Sequence, residues 1–201
     1  MTRRVTTAAA ALCLATLAAA CTNSPEAGRP DTTPPSSTPT TASPGTPSAP
    51  RWTEEEQSAI NAAKVRYASA RRAVDATLHD PRKSDRAALT RAGNGGTWLI
   101  DVLGEIKFQR ENGWYQTGFV QIGSTSVESV KLTLEQPEVR LTACIDSSKV
   151  TTNLQSTRKP IPDTGNDGDR HMAKAKLVFA KALNEKSKAW FLVEEKGGGA
   201  C

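Results

Sequence analysis

From residue 53 onward the apolar positions follow two periods, and the change from one to the other divides the domain. Ile60, Ala63, Tyr67, Ala70, Val74 and Leu78 recur at three- and four-residue spacing, which places one apolar stripe along a helix. Thr53-Glu54-Glu55-Glu56 ahead of them is a capping box, with Glu56 positioned to reach back to Thr53 and an acidic first turn that suits the helix dipole. The helix is expected to stop near His79-Asp80-Pro81, because the residue before proline is disfavoured in a helix. A short helix is predicted over 84–92, halted by Gly93. A third carries Trp98, Leu99, Val102, Leu103 and Ile106 and ends at Asn112-Gly113.

Beyond Gly113 the period drops to two. Strands are predicted over 114–122, 127–134, 139–146, 172–183 and 188–195, separated by turn residues. Val139, Leu141, Ala143 and Ile145 alternate with Arg140, Thr142 and Cys144, so the sheet has an inner and an outer face, with Cys144 on the outer one. Leu177 and Phe179, and Trp190 and Leu192, extend the inner face. Helices first and antiparallel strands afterwards is an α+β order, with three N-terminal helices packed on one face of an antiparallel sheet.

The first fifty residues follow neither period. Arg3 and Arg4 precede an apolar stretch over 8–20 that only Thr16 interrupts, and Leu17-Ala18-Ala19-Ala20-Cys21 closes it. A positive n-region, a short apolar core and small residues before a cysteine are the parts of an export signal. The apolar stretch is shorter than the roughly 20 residues that a membrane-spanning helix needs. Residues 1–20 are therefore expected to be a signal peptide, with Cys21 lipidated on its thiol. Ala18 stands three before the cysteine where leucine is commoner; the alternative is an ordinary secreted chain cut at Ala18-Ala19-Ala20. Each buried CH₂ of an acyl chain contributes about 0.8 kcal/mol, so two or three chains anchor firmly where one is marginal. Residues 22–51 hold eight prolines and much Ser, Thr, Ala and Gly, the composition of a disordered linker. At about 3.1 Å per residue in polyproline geometry it reaches up to roughly 90 Å. The chain thus divides into a signal peptide (1–20), a lipidated cysteine with its linker (21–51) and an α+β domain (52–201).

The cysteines follow from this partition. Cys13 leaves with the signal and Cys21 carries lipid, which leaves Cys144 and Cys201 as an even pair in an oxidising compartment. A disulfide between them is expected, and it pins a tail that would otherwise fray.

The net charge is +5, and it falls when Arg3 and Arg4 leave with the signal. So mild an excess gives little reason to expect nucleic acid as a partner.

Signal, Cys21, Pro/Thr/Ser linker and domain together resemble a group of actinobacterial lipoproteins with a nuclear-transport-factor-2-like domain. The residues that carry the likeness are Leu89-Thr90-Arg91-Ala92 before a helix, Gly113-Trp114-Tyr115-Gln116-Thr117-Gly118 entering a strand, and Ala143-Cys144-Ile145-Asp146-Ser147-Ser148 with Trp190 and Cys201. It runs over 52–201 as a pattern more than as a motif. The Lys-rich final strands and Gly197-Gly198-Gly199 depart from it. The resemblance implies a cone: about three helices against a strongly curved antiparallel sheet. The same fold hosts isomerases, dehydratases, cyclases and binding domains, so it does not select an activity.

Enzymes of the ketosteroid-isomerase type place a carboxylate, often with His or Tyr, inside the cone. Candidates for such a cavity are Tyr67, on the first helix's apolar stripe, and Asp101, whose spacing from Leu99 and Val102 admits the cone's edge. Core packing is the competing reading of Tyr67, and an exposed helix face is the preferred one for Asp101. His79 reads as a helix-end residue and His171 as a surface residue after a polar loop. Residues 163–169 have the Asp-Gly of a calcium loop at its fifth and sixth places, but the third place is Gly165 and the twelfth is Lys174, so essential ligands are missing. No catalytic set, metal site or cofactor is expected. Lys174, Lys176, Lys181, Lys186 and Lys188 make the final hairpin basic, either facing wall polymers or, the preferred reading, guarding an edge strand.

These observations favour a membrane-anchored lipoprotein on the extracytoplasmic face with a non-enzymatic binding domain. Its partner would be an envelope protein, a wall polymer or a small apolar ligand. The alternatives are a cavity enzyme of isomerase or dehydratase type, and a phage-encoded or envelope-assembly factor that excludes or scaffolds a partner.

Overall fold

In a computed structural model that describes residues 52–162, 170–182 and 186–201, three helices precede six strands. The signal peptide, Cys21, the linker and the calcium-like loop at 163–169 lie outside the described residues.

Helix α1 (Glu54–Leu78) begins at the predicted capping box: the Thr53 amide donates to Glu56 Oε2 at 2.9 Å, and the Glu56 amide to Thr53 Oγ1 at 3.2 Å. All six stripe residues are buried, and so is Asp75. A 3-10 turn (Pro81–Lys83) follows, and α2 (Arg86–Ala92) starts two residues later than the spacing suggests. Asp85 decides that boundary, since its Oδ1 accepts the Ala87 amide at 2.8 Å. Helix α3 (Gly96–Glu111) buries Leu99, Val102, Ile106 and Gln109, and its first turn has no side-chain cap. Val74, Leu78, Leu89, Leu99, Val102 and Ile106 close a small core among the three helices.

The strands are β1 (Trp114–Thr117), β2 (Gln121–Lys131), β3 (Glu138–Asp146), β4 (Thr151–Leu154), β5 (Arg170–Lys181) and β6 (Lys188–Gly197). They form a four-stranded antiparallel sheet, β2-β3-β5-β6, and a separate pair, β1-β4. The strand predicted over 114–122 breaks at Gly118. That residue has φ +79°, and a Cβ there would run into the Lys149 carbonyl, so β1 turns off before β2 begins. The turn expected around Gly123 stays inside β2, where register shifts on both sides of 125–127 absorb the irregularity as bulges. Strand β4 has no counterpart in the sequence reading, since Thr151-Thr152-Asn153-Leu154 carries no apolar alternation.

Val139, Leu141, Ala143 and Ile145 are at most 1 % exposed and face Ala63, Tyr67 and Ala70 of α1 together with Leu177, Trp190 and Leu192. The predicted inner face is therefore the one that α1 covers. On the outer face Cys144 is bonded to Cys201, with the two Cα atoms 5.9 Å apart. The Met172 amide donates to the Gly199 carbonyl, and the Gly198 amide donates to that of Met172, which lays the tail along β5. The edge-guard reading of the lysines needs correction. Lys174, Lys176 and Lys181 belong to β5, which is paired on both sides, and Lys188 lies on the edge strand β6.

Candidate functional site

Two features combine polar chemistry with shape: a buried charged cluster under α1, and an open groove beside α2.

The cluster arises because α1 places three polar side chains, Tyr67, Arg71 and Asp75, four residues apart on its core-facing side. Arg71 Nη1 lies 2.8 Å from Glu195 Oε1 of β6, with 14 % and 8 % of the two side chains exposed. The guanidinium also sits 5.4 Å from the centre of the Trp98 ring. Trp98 Nε1 donates to Asn94 Oδ1 at 2.7 Å, and Asn94 Nδ2 donates to the carbonyls of Ala70 and Leu89. The network thus links α1, the α2–α3 turn, α3 and β6. Among the described residues the Tyr67 hydroxyl, Arg71 Nε and Glu195 Oε2 are buried with no hydrogen bond of good geometry, the Tyr67 hydroxyl lying close enough to the Glu195 carboxylate to interact with it. Burial, and then the negative charge of Glu195, push the ionisation of Tyr67 far above its usual range, so the hydroxyl keeps its proton.

Asp75 lies one turn further along. Its carboxylate accepts the Val120 amide at 3.0 Å and Gln116 Nε2 at 3.4 Å, holding α1 to the corner between β1 and β2. Burial raises its carboxyl above the ordinary value of 3.8; the Val120 amide and the Arg71 charge pull part of the way back. His79 caps α1 and donates through Nε2 to the Gly118 carbonyl at 2.7 Å, with its ring edge-on to Phe119.

The groove runs between α2 and the outer face of the β5–β6 hairpin and encloses about 850 Å³. Its floor is apolar, formed by Leu99, Val178, Ala180, Phe191 and Val193. Its rim is cationic, with Arg86 and Arg91 on the helix wall and Lys181 on the strand wall. Asp85 is the carboxylate on the rim among the described residues; it pairs with Arg91 at 3.5 Å and caps α2. Arg86 and Lys181 have no carboxylate partner among the described residues.

The two cavity candidates of the sequence do not meet. Tyr67 is 1 % exposed and packed in the core, with Val139, Leu141 and Leu192 in the same cluster. Asp101 is exposed, because two residues from Leu99 is nearly the opposite side of a helix, so its assignment to a cavity does not hold. His171 is a half-buried member of β5, rather than the end of a loop. Sequence reasoning passed over Arg71, Asp75 and Glu195. The signal for two of them was present: charged residues four and eight positions after Tyr67, on a stripe otherwise apolar. The groove had no such signal, since its floor and rim come from four distant segments. Among the described residues no group of three or more His, Cys, Asp or Glu side chains could hold a metal ion. No helix there is long and apolar enough to cross a membrane.

No protein-family model matches the chain, and no curated protein matches it in sequence. Among solved structures, the intermembrane space region of the chloroplast protein ARC6 superposes with a TM-score of 0.49 at 12 % identity, covering 75 % of this chain and 100 % of that one. So distant a likeness carries no functional argument.

Proposed function

We propose that this chain is a lipid-anchored lipoprotein of the cell envelope, held outside the cytoplasmic membrane by Cys21, whose α+β domain binds a ligand or partner without turning it over. The anchor rests on Arg3-Arg4, the apolar stretch and Leu17-Ala18-Ala19-Ala20-Cys21. The observation that carries the binding reading is a division of labour among polar groups. Asp75, the buried carboxyl that is held above its ordinary value, is occupied in tying α1 to β1 and β2. The accessible concavity instead offers an apolar floor and a cationic rim, surfaces suited to holding a ligand.

The anchor is tested by intact-mass analysis and membrane fractionation of the native protein. The parent chain is expected to carry acyl mass on Cys21 and to sediment with membranes, whereas Cys21→Ser is expected in the soluble fraction. An unmodified Cys21 would overturn the placement.

One observation favours a second reading, a cavity enzyme of the ketosteroid-isomerase type. The Tyr67 hydroxyl and the Glu195 carboxylate, an acid and a base, lie together in the interior beside Arg71. Turnover of a small apolar ketone that Tyr67→Phe abolishes, with the fold intact, would replace the binding reading with this one.

A further inference from the structure

We propose that the groove between α2 and the β5–β6 hairpin is a binding site for an anionic amphiphile of the fatty-acid class, with the alkyl chain on the apolar floor and the carboxylate at the cationic rim. This deepens the binding reading above and is independent of the anchor.

Three observations lead to that ligand. The volume of about 850 Å³ lies in the range of small-molecule sites, and the floor presents Val178 and Ala180 of β5 beside Phe191 and Val193 of β6. An alkyl chain laid there removes apolar surface from water on both sides, which is the main source of affinity for such a contact. Next comes charge. Arg86 and Lys181 face no carboxylate among the described residues, while Asp85 is already committed to Arg91 and to the Ala87 amide. Among the described residues the rim therefore has positive charge to spare for one anionic head. The first turn of α3, which has no side-chain cap and enters the groove at Gly96, adds a positive dipole end of the same sign.

The last observation separates an amphiphile from a peptide. A peptide strand beside β6 would need free backbone groups on that edge. At Leu192 and Val193, beneath Gly95 and Gly96, they are occupied. The Leu192 amide donates to the Gly93 carbonyl at 2.8 Å, the Leu192 carbonyl accepts the Gly95 amide at 2.9 Å, and the Val193 carbonyl accepts Thr97 Oγ1 at 3.0 Å. An alkyl chain asks for no hydrogen bond, so a floor whose backbone is already satisfied suits it.

The experiment uses the full chain carrying Cys21→Ser, so that its own acyl chains do not compete, and titrates it calorimetrically with palmitate without detergent. Saturable one-to-one binding is expected. Charge reversal at the rim, Arg86→Glu with Lys181→Glu, should weaken it about tenfold or more, the effect of losing a charge-assisted contact. Ala180→Glu, which puts a carboxylate on the floor, should do the same. Lys107→Glu, on an exposed part of α3 outside the groove, should leave affinity unchanged, and near-UV circular dichroism should show all three variants folded. Absence of saturable binding overturns the proposal. So does palmitate affinity that rim reversal leaves unchanged, or hexadecanol binding as tightly as palmitate. If palmitate fails but an acidic peptide binds in a way that the rim reversal abolishes, the amphiphile is wrong and the binding reading stands; if both fail, both readings of this face fall.

Discussion

Arg71 and Glu195, 124 positions apart in sequence, meet at 2.8 Å beneath α1 with little of either side chain in contact with water. The contact joins the first helix to the last strand and so closes the domain across nearly its whole length. Removing one partner strands the other charge in a poorly solvated site. Glu195→Leu or Arg71→Met alone is expected to lower unfolding free energy by about 3–5 kcal/mol, and the double variant by clearly less than the sum. Urea unfolding of the three variants checks this; additive losses would show that the pair is not energetically coupled.

Asp75 gives the stability of the fold a pH signature. Its folded-state value lies above the ordinary 3.8, so between the two values the native state holds more protons than the unfolded one. Its contribution is greatest in acid and falls as pH rises through the folded value. Relative to the parent chain, Asp75→Asn is therefore expected to become less destabilising as pH rises from about 4 toward neutrality. Denaturation midpoints of both proteins across that range test the sign, and a difference that widens with pH would refute it.

The Cys144–Cys201 bond closes a span of 57 positions, for which chain entropy predicts a loss of about 4 kcal/mol on removal, with 2–5 kcal/mol usual for native bonds. The Cys144→Ala/Cys201→Ala variant is expected to lose stability on that scale. Amide exchange should rise first at Gly198, where the tail's bond to the Met172 carbonyl depends on the staple.

Two glycines of α3 should respond in opposite directions to the same change. Gly96 has φ +55°, and a Cβ there would stand 2.8 Å from the Val193 carbonyl oxygen and side chain, so Gly96→Ala is expected to cost about 1–3 kcal/mol. Gly104 lies mid-helix with nothing within 4 Å of its Cβ direction, and Gly104→Ala is expected to stabilise by about 1 kcal/mol. Thermal unfolding of the pair separates backbone strain from helix propensity.

Much of the architecture follows from local periodicity. The stripe from Ile60 to Leu78, the capping box at Thr53 and the alternation from Val139 to Ile145 each depend on neighbours within a few residues, so the helices and the inner sheet face were legible before any packing was known. The placement of Cys144 on the outer face followed from the same alternation. The boundaries that escaped were set at a distance. Strand β1 stops because Gly118 passes close to the Lys149 carbonyl, and β4 exists because β1 offers it a partner.

Charge chemistry divides in the same way. Arg71 on a core-facing stripe advertises a buried partner, but nothing local to Glu195 names it as that partner. Leu99, Val178, Phe191 and Val193 each read as ordinary apolar residues of a helix or strand. Only the placement of α2 and the start of α3 beside the outer face of β5 and β6 turns them into one floor beneath Arg86 and Lys181. Secondary structure is encoded by contacts between near neighbours, whereas a groove or a buried ion pair is a property of surfaces that the chain brings together afterwards.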